Sequence, residues 1–417
     1  MKFGKPPGML TQEQWRQKNS VSDKDADAGY VFFLYGREKG VMGFRPTNPY
    51  RKSRRQWIEE SVSIEDKQTG DMVPFRLNEA QRQLEASILR SERRGEPVRV
   101  SILKARQQGI STYVTAFFLW LMLTNDGFRV LLMGHKKQSA NVLRGRLEKM
   151  LGTLRRNARD RWDIKPKKSQ GNEFILGSPQ GSTAIIESAE AADYRGDTCR
   201  GFHCIEPAEW PNAEEKANAA MKIVPKAPGT YVIIEGTAHG DSNWYAKTWK
   251  HAWRVQSYEE SALSLPLRAL FFPWYIHDNY RWTVVNRRNL PGKLKQEIER
   301  TLDDEERRLL KQSYIRRGVG KVFVDYDQLA WRRYTIQEDC QGMVEFFHQE
   351  YPAYPEEAFL STGMRFFSAK AIYEQKEKYA TKPIWRGDLI DPDGERQLAR
   401  TLEDMESIER MTTDVAR

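Results

Sequence analysis

The stretch VRVSILKARQQGIST, Val98 to Thr112, decides the fold of this chain. An apolar run of the kind that forms a buried strand leads into a turn, and a strongly apolar segment from Thr112 to Thr124 follows. The order matches the phosphate-binding loop G-x-x-x-x-G-K-[ST]: Gly109 and Ser111 are in place, but Ile110 stands where the lysine belongs. In such loops backbone N–H groups and the helix N-terminus face the phosphates, and the Ser/Thr hydroxyl reaches Mg²⁺. The stretch therefore predicts a phosphate site without its usual lysine.

Two basic side chains at the front of the loop are candidates to replace that lysine. Lys104 holds the first motif position and Arg106 the third, so both are expected to lie over a triphosphate and screen its charge. The predicted nucleotide-binding loop comprises Lys104, Arg106, Gln107, Gln108, Gly109, Ile110, Ser111 and Thr112, with Ser111 as the Mg²⁺ ligand. Taken alone, the stretch also fits a basic strand-to-helix turn capped by Ser111.

Features on both sides of the loop favour the nucleotide site. Upstream, Val73 to Leu84 reads VPFRLNEAQRQL, in which Phe75 could stack on a base and Gln81 could bind the edge of adenine. Downstream, a second apolar strand from Phe128 to Gly134 precedes HKKQSANVL and an arginine-rich helical stretch. This succession is typical of a nucleotide-binding α/β core.

Two further strands end in polar residues. The apolar segment GFHCI leads directly to Glu206, and the strand Tyr231 to Ile234 is followed by EGTAHG, with Thr237 at its carboxyl end. Open parallel sheets bind their ligands at the carboxyl ends of the strands, so both residues are expected near the phosphates.

The series of motifs resembles the large subunit of tailed-phage terminases, the ATPases that drive DNA into capsids. The likeness extends roughly from Phe75 to Phe367. It includes the adenine motif at Gln81, the loop KARQQGIST, the pair Arg195-Gly196, the segment IEPAEWPN, the coupling turn Gly236-Thr237-Ala238 and the closing segment FFHQEYPAYPEEAFLSTG. The resemblance implies ATP and Mg²⁺ as cofactors. It also implies double-stranded DNA, the small terminase subunit and the portal protein or prohead as partners, a homo-oligomeric ring on the portal, and work in the host cytoplasm.

One departure from the family pattern affects the mechanism. The family usually has Asp or Ser before the strand-end Glu, whereas this chain has Ile205 before Glu206. Two interpretations remain open. In one, Glu206 is the general base and Ser111, phosphates and water hold the metal; in the other, Glu206 holds the metal and Glu209 is the base. The first is preferred, because Glu206 falls at the strand end and Glu209 lies beyond Pro207 in the turn.

The resemblance also suggests roles for three residues outside the loop. Thr237 is expected to sense the γ-phosphate and pass the change to a lid, although a plain strand-end hydrogen bond would explain it equally well. Arg144 and Arg146 are candidates for an arginine finger that would act on a neighbouring subunit of the ring. The alternative for both arginines is ordinary surface charge.

Composition agrees with a protein that binds a polyanion. The chain has 67 Lys+Arg against 57 Asp+Glu and a formal net charge of +10, which favours nucleic acid as a partner, although a soluble basic surface would give the same total. Its longest apolar run, AFFLWLML at Ala116 to Leu123, is too short for a membrane span and predicts a buried helix. No membrane partner is expected.

The predicted fold class is α/β, with a P-loop NTPase core whose mostly parallel sheet is covered by helices on both faces. The predicted regions are an N-terminal arm at 1–62, the ATPase core at 63–260, a lid or accessory subdomain at 261–380, and a charged tail at 381–417.

Terminase large subunits usually carry a nuclease domain after the ATPase region. Only about fifty residues follow the closing segment here, fewer than a strand-rich domain needs, so we expect ATP hydrolysis without DNA cleavage. Two other classes share part of the pattern. A helicase-like translocase should show a second ATPase-like domain, and a non-catalytic DNA-binding module would bind duplex without consuming ATP.

Overall fold

The fold is built around one large sheet in the computed structural model. The model describes residues 34–35, 42–43, 53–66, 69–157, 166–177, 181–190, 198–257, 267–316 and 318–359. The strands are β1 Leu34–Tyr35, β2 Met42–Gly43, β3 Ser63–Glu65, β4 Met72–Pro74, β5 Val98–Lys104, β6 Arg129–Gly134, β7 Pro166–Gln170, β8 Glu173–Leu176, β9 Thr183–Ser188, β10 Gly201–Ile205, β11 Tyr231–Gly236, β12 Arg268–Phe272, β13 Ser313–Arg316 and β14 Gly320–Phe323.

The helices alternate with the strands through the first two thirds of the chain. They are α1 Arg54–Ser61, α2 Glu79–Arg93, α3 Ile110–Thr124, α4 Lys137–Asn157, α5 Ala213–Lys222, α6 Trp244–Ser257, α7 Trp282–Asn286, α8 Gly292–Arg300, α9 Asp304–Leu309, α10 Tyr326–Glu338, α11 Val344–Glu350 and α12 Pro355–Ala358. None of the described helices is long and apolar enough to cross a bilayer.

The eight-stranded sheet has the order β12-β5-β11-β10-β6-β9-β8-β7. The six strands from β12 to β9 pair in parallel, and β8 and β7 complete the edge in antiparallel fashion. The phosphate-loop strand β5 thus lies beside β11, which in turn lies beside β10. This order brings the carboxyl ends of three strands that are distant in sequence to one edge of the sheet.

Helices cover both faces of the sheet. Along β11 successive side chains alternate between two hydrophobic clusters: Tyr231 and Ile233 join the cluster formed with α2, α3 and α4, whereas Val232 and Ile234 join the one formed with α5 and α6. Alternation of this kind, apolar on both faces, is expected of a buried parallel strand. The predicted α/β class, with a mostly parallel sheet covered on both faces, is confirmed.

Helix α3 is buried on all sides, as expected from its apolar sequence. Its N-terminus follows Gly109, so the first turn of the helix is directed at the loop. Helix α2 begins with a capping box, in which Asn78 and Gln81 satisfy each other's backbone N–H groups.

Two of the predicted domain boundaries, those at 62/63 and 260/261, separate elements that pack together in the structure. Strand β12 falls in the region predicted as lid, yet it pairs with β5 and forms the edge of the core sheet. Helix α1 falls in the predicted N-terminal arm, yet Trp57 and Ile58 are fully buried in the core. Arg54 of the same helix is buried too, at 3% exposure.

The region after β12 packs on the core through aromatic side chains. Trp274 is fully buried, and Tyr280 stacks on Trp331 of α10 at a ring-centroid distance of 4.5 Å. The hairpin β13–β14 and helices α8 to α11 contribute to the same hydrophobic cluster as α3. The predicted tail at 381–417 lies outside the described residues, as do Arg195, Gly196 and Phe367.

Candidate nucleotide-binding site

The turn after β5 has the backbone of an open loop that leads into a helix. Gln107 and Gly109 both lie in the left-handed region, with φ of 59° and 71°. Glycine is favoured at 109, because its φ is positive and a Cβ there would lie 2.7 Å from Nε2 of Gln81, which would have to move away from its hydrogen bond to the loop. The amide of Gln81 donates to the Gly109 carbonyl at 2.8 Å, and that of Asn78 donates to the Gln108 carbonyl at 2.9 Å. The loop is therefore held from outside by the start of α2.

The other side of the loop is held by the region after β12. The buried side-chain amide of Gln108 donates to the Pro273 carbonyl at 2.8 Å. The Arg106 N–H donates to the Glu350 carbonyl at 2.8 Å, and the Tyr280 hydroxyl donates to the Arg106 carbonyl. The accessory region is thus bonded directly to the backbone of the phosphate loop.

Lys104 lies beneath the loop, where it pairs with two carboxylates. Its Nζ is 2.8 Å from Oε1 of Glu206 and 3.5 Å from Oε2 of Glu235, and its side chain is 6% exposed. Burial alone would lower the pKa of Lys104, but the charges of the two glutamates raise it above its ordinary value. Lys104 is therefore charged, and its charge is directed at carboxylates.

Glu206 occupies the strand end that was predicted for the general base. It directly follows β10 and has a φ of 51°, a left-handed conformation that is strained for a residue with a Cβ. Its Oε2 accepts hydrogen bonds from the Thr237 N–H at 2.9 Å and the Thr237 hydroxyl at 3.3 Å. The side chain is 32% exposed, so it reaches both the buried lysine and solvent.

Glu209 lies apart from this group. It ends a short 3₁₀ helix, Pro207–Glu209, and its 44% exposed side chain pairs with Nδ1 of His239 at 3.2 Å. Of the two interpretations left open by the sequence, this placement favours Glu206 as the base.

Glu235 and His203 were missed by the sequence analysis. Glu235 is fully buried, and its Oε1 lies 3.2 Å from Nε2 of His203. Burial would raise the pKa of Glu235, but the charge of Lys104 and the hydrogen bond to His203 lower it to about 2. The available signal was a glutamate at the end of the apolar strand YVIIE.

Two residues predicted to contact the base of the nucleotide are engaged elsewhere. Phe75 is 1% exposed and belongs to the hydrophobic core, so it cannot stack on a base. Gln81 is 3% exposed, and both ends of its amide are used: Oε1 accepts from the Asn78 N–H at 2.9 Å, and Nε2 donates to the loop at Gly109. The segment predicted as an adenine motif therefore shapes the loop.

The remaining loop predictions have mixed outcomes. Ile110, at the lysine position, is 1% exposed and packs in the core, which explains why an apolar residue is accommodated there. Arg106 is 60% exposed and pairs with Glu350 at 2.7 Å, so its charge is directed at α11. Gln107 is exposed, and Thr112 is half-buried in the first turn of α3.

The two arginine-finger candidates of α4 have different surroundings. Arg144 donates to the carbonyl groups of Gly171 and Glu173 in the β7–β8 hairpin. Arg146 lies close enough to Glu235 to feel its charge, and burial lowers its pKa. Arg144 is therefore tied to a hairpin of its own subunit in this conformation.

The sequence that forms this site matches a known protein family. The family described as "Terminase large subunit, T4likevirus-type, N-terminal" matches residues 101–323, more than half of the chain. The chain belongs to the terminase large-subunit family. The match extends from β5 to β14 and so includes the Lys104 cluster, which consists of Lys104, His203, Glu206, Glu235 and Thr237.

Solved structures of large terminases are similar to this family member. The HK97 bacteriophage large terminase has a TM-score of 0.42 and 14% identity, with 61% of this chain and 52% of that protein covered. A large terminase from a thermophilic bacteriophage, in complex with ADP, has a TM-score of 0.35 and 15% identity, covering 55% of this chain and 50% of that one. The Thermus phage P74-26 large terminase ATPase domain has a TM-score of 0.33 and 16% identity, covering 50% of this chain and 85% of that domain.

The chain spans about half the length of the HK97 protein and of the ADP-bound terminase. No curated protein matches it significantly. The family assignment accordingly rests on the family model.

Proposed function

We propose that this chain is the ATP-hydrolysing motor of a phage terminase, which moves double-stranded DNA into a capsid. The observation that carries the proposal is the grouping of Lys104, Glu206 and Thr237 at the carboxyl ends of β5, β10 and β11. Open α/β sheets bind nucleotides at that edge, and the N-terminus of α3 adds the backbone N–H groups that favour phosphate.

The donor set at this edge fits Mg²⁺. Hard oxygen ligands suit this ion; the strand-end carboxylates of Glu206 and Glu235 offer such oxygens, as does the hydroxyl of Ser111 in the first turn of α3. Ser111 would hold the ion as in other phosphate loops. When bound, Mg²⁺ would neutralise the charge that develops on the transferring phosphoryl group.

Glu206 would orient the water that attacks the γ-phosphorus and accept its proton, while the bond from phosphorus to the β–γ bridging oxygen breaks. One oxygen of Glu206 is held by Lys104 at 2.8 Å and the other by Thr237. Phosphate oxygens compete for the ammonium of Lys104, so binding of the triphosphate would release Glu206 Oε1 toward water. The backbone bond from Thr237 keeps the carboxylate in place during this exchange.

The partners follow from family membership and the charge of the chain. They are double-stranded DNA, the small terminase subunit and the portal protein or prohead, with a ring of large subunits on the portal. The arginine finger for such a ring would come from a residue other than Arg144, which is tied to the β7–β8 hairpin of its own subunit.

Comparison of Glu206→Gln with Glu209→Gln tests the proposal. A positioned general base contributes about a hundredfold to ten-thousandfold, so Glu206→Gln should lose ATP hydrolysis by that factor and still bind ATP. Glu209→Gln is the matched control and should hydrolyse ATP at the wild-type rate, because that side chain is exposed and outside the cluster. The reverse result would show that the base has been assigned to the wrong glutamate.

The two alternative functions, a helicase-like translocase and a non-catalytic DNA-binding module, would be distinguished by incubating the protein with ATP and duplex DNA. A helicase-like translocase would separate the strands of a duplex while it consumes ATP, and a non-catalytic binding module would leave ATP intact. Within the described ranges the chain forms one large, mostly parallel sheet of the nucleotide-binding kind, which favours the motor over a helicase with two ATPase-like domains.

A further inference from the structure

Two side chains at the start of α2 hold carbonyl groups of the phosphate loop. Nδ2 of Asn78 donates to the Gln108 carbonyl at 2.9 Å, and Nε2 of Gln81 donates to the Gly109 carbonyl at 2.8 Å. The oxygen of each amide is used inside the capping box, where Oδ1 of Asn78 accepts from the Gln81 N–H at 3.0 Å and Oε1 of Gln81 accepts from the Asn78 N–H at 2.9 Å. Both amides are therefore fixed in orientation, with their donor ends directed at the loop.

A third donor comes from the region after β12. The Tyr280 hydroxyl donates to the Arg106 carbonyl, and Tyr280 is buried because its ring stacks on Trp331. A buried, stacked ring has little freedom to turn away, so this hydroxyl is a fixed donor as well. The three outer donors, Asn78, Gln81 and Tyr280, thus bind the loop carbonyl groups of residues 106, 108 and 109.

The direction of each carbonyl determines where the next N–H group points. A trans peptide is planar, and its C=O and N–H bonds point in opposite directions. The outer donors therefore turn the N–H groups of Gln107, Gly109 and Ile110 toward the side of the loop that faces away from those donors. Among the described residues, none accepts a hydrogen bond from these three N–H groups. Left-handed backbone at Gln107 and Gly109 helps to form such a concave row of N–H groups, which binds anions.

We propose that the three outer donors are positioning residues that hold the loop in its phosphate-binding form. Because the side chain of Ile110 is buried in the core, backbone N–H groups must supply the contacts that a lysine supplies at this position in other loops. Gln81 accordingly acts on the phosphate chain of the nucleotide, whatever its base, and does not bind the edge of adenine. The inference rests on the proposed function, because it concerns the same nucleotide site.

Each outer donor can be removed with little other change. Asn78→Ser keeps a residue that caps α2 well, but the shorter side chain does not reach the loop. Tyr280→Phe loses the hydroxyl and keeps the ring that stacks on Trp331. Gln81→Met keeps the length of the side chain and removes the amide.

Two control variants change the same residue types away from the loop carbonyl groups. Tyr351→Phe alters a tyrosine that also packs on Trp331, at 5.4 Å, and whose hydroxyl bonds to none of the described residues. Gln83→Met alters an exposed glutamine of α2 that donates to Glu79 at 3.0 Å. Both controls should bind ligands as the wild type does.

Isothermal titration calorimetry with ATP, GTP and inorganic tripolyphosphate, each with Mg²⁺, measures the effect. Each variant that lacks an outer donor should bind all three ligands more weakly by the same factor, about 2- to 12-fold for the loss of one hydrogen bond. Tripolyphosphate has no base, so a contact with the base cannot explain a loss of its affinity. Urea denaturation of the same proteins separates this effect from instability, because Asn78→Ser and Tyr280→Phe should lose affinity while they remain folded under the conditions of the titration.

The outcomes separate the inference from the proposed function. Variants that bind tripolyphosphate as tightly as the wild type would overturn the inference and leave the proposed function intact. So would a Gln81→Met protein that loses affinity for ATP alone, because Gln81 would then bind adenine. If Gln81→Met does not fold, judged by circular dichroism, Asn78→Ser and Tyr280→Phe decide. Wild-type protein that binds none of the three ligands would refute the proposed function, and the inference with it.

Discussion

At the scale of single residues, the site depends on the burial of one cation between two carboxylates. Removal of one partner from a buried ionic group leaves an uncompensated charge, which typically costs about 3–5 kcal/mol. Lys104 is such a buried group, with 5% of its surface exposed, whereas the side chain of Arg106 is 60% exposed. The two basic residues that the sequence presented as equivalent replacements for the missing lysine therefore have different surroundings.

The first residue-scale prediction concerns these two residues. Lys104→Met should abolish ATP turnover and lower the free energy of unfolding by roughly 3–5 kcal/mol, because Glu206 and Glu235 lose their shared partner. Arg106→Ala removes an exposed pair with Glu350 and should lower it by about 1 kcal/mol or less. Urea denaturation and an ATPase assay measure both quantities. Equal losses of stability in the two variants would contradict this account of the cluster.

At the scale of elements, a buried ionic network joins three helices to the sheet. Arg54 of α1 donates to Glu85 at 2.9 Å and Glu92 at 3.0 Å, both on α2. Tyr113 of α3 donates to Glu85, and Tyr231 of β11 donates to Glu92 at 2.9 Å. The network lies behind the phosphate loop, since α3 starts at the loop and α2 holds it through Gln81.

Arg54→Met should lower the free energy of unfolding by roughly 3–5 kcal/mol, because two buried carboxylates lose their cation. The adjacent Arg55 provides a matched control: its side chain is 41% exposed and pairs with Glu59 one turn away. Arg55→Met should change the free energy by at most about 0.5 kcal/mol. Urea denaturation of both variants tests the prediction, and a small loss at Arg54 would mean that the network contributes little.

A second element-scale prediction concerns pH. His348 of α11 lies 3.0 Å from Glu305 of α9, with Glu357 and Arg332 nearby. Burial would lower the pKa of His348, but the bond to Glu305 and the charges of Glu357 and Glu305 raise it above the ordinary 6.5. A histidine whose pKa is raised by folding contributes its full stability below the unfolded pKa and loses it as pH rises through the folded pKa.

The wild type should therefore lose stability relative to His348→Asn as pH rises from 6 to above the folded pKa of the histidine. The pKa of Glu305 is lowered to about 2, so this carboxylate stays ionised throughout that range and does not confound the comparison. Urea denaturation of both proteins at pH 6 and pH 8.5 provides the measurement. Parallel changes in the two proteins would show that His348 is not the titrating group.

At the scale of the whole molecule, the net charge of +10 bears on DNA binding. A translocating motor grips phosphates and does not read bases, so affinity should be independent of sequence and should fall with salt. With six to ten phosphate contacts the loss between 50 and 200 mM salt is about 10³- to 10⁵-fold. Fluorescence anisotropy with two duplexes of unrelated sequence tests both points. Affinity that ignores salt, or that differs strongly between the duplexes, would argue against a backbone grip.

The sequence by itself determined the features that depend on local order along the chain. The periods of apolar residues are local signals and predict the α/β class. The glycine at 109 likewise predicts the loop, and the acid directly after GFHCI predicts the strand-end position of Glu206. Local signals do not report what a side chain contacts in the folded protein. Phe75 and Gln81 stand where an adenine motif would. In the structure Phe75 is buried in the core, and Gln81 takes part in the capping box of α2.

Only the tertiary structure decided which polar groups meet. Sheet order places β11 between β5 and β10, so Glu235 lies beside Lys104 and His203, although these three residues are spread over more than 130 positions of the sequence. The tertiary structure likewise decided that β12 belongs to the core sheet and that Arg106 pairs with Glu350. The physical reason is that parallel strands need long crossover connections, so neighbours in the sheet are distant in the chain and their side-chain partners leave no local pattern.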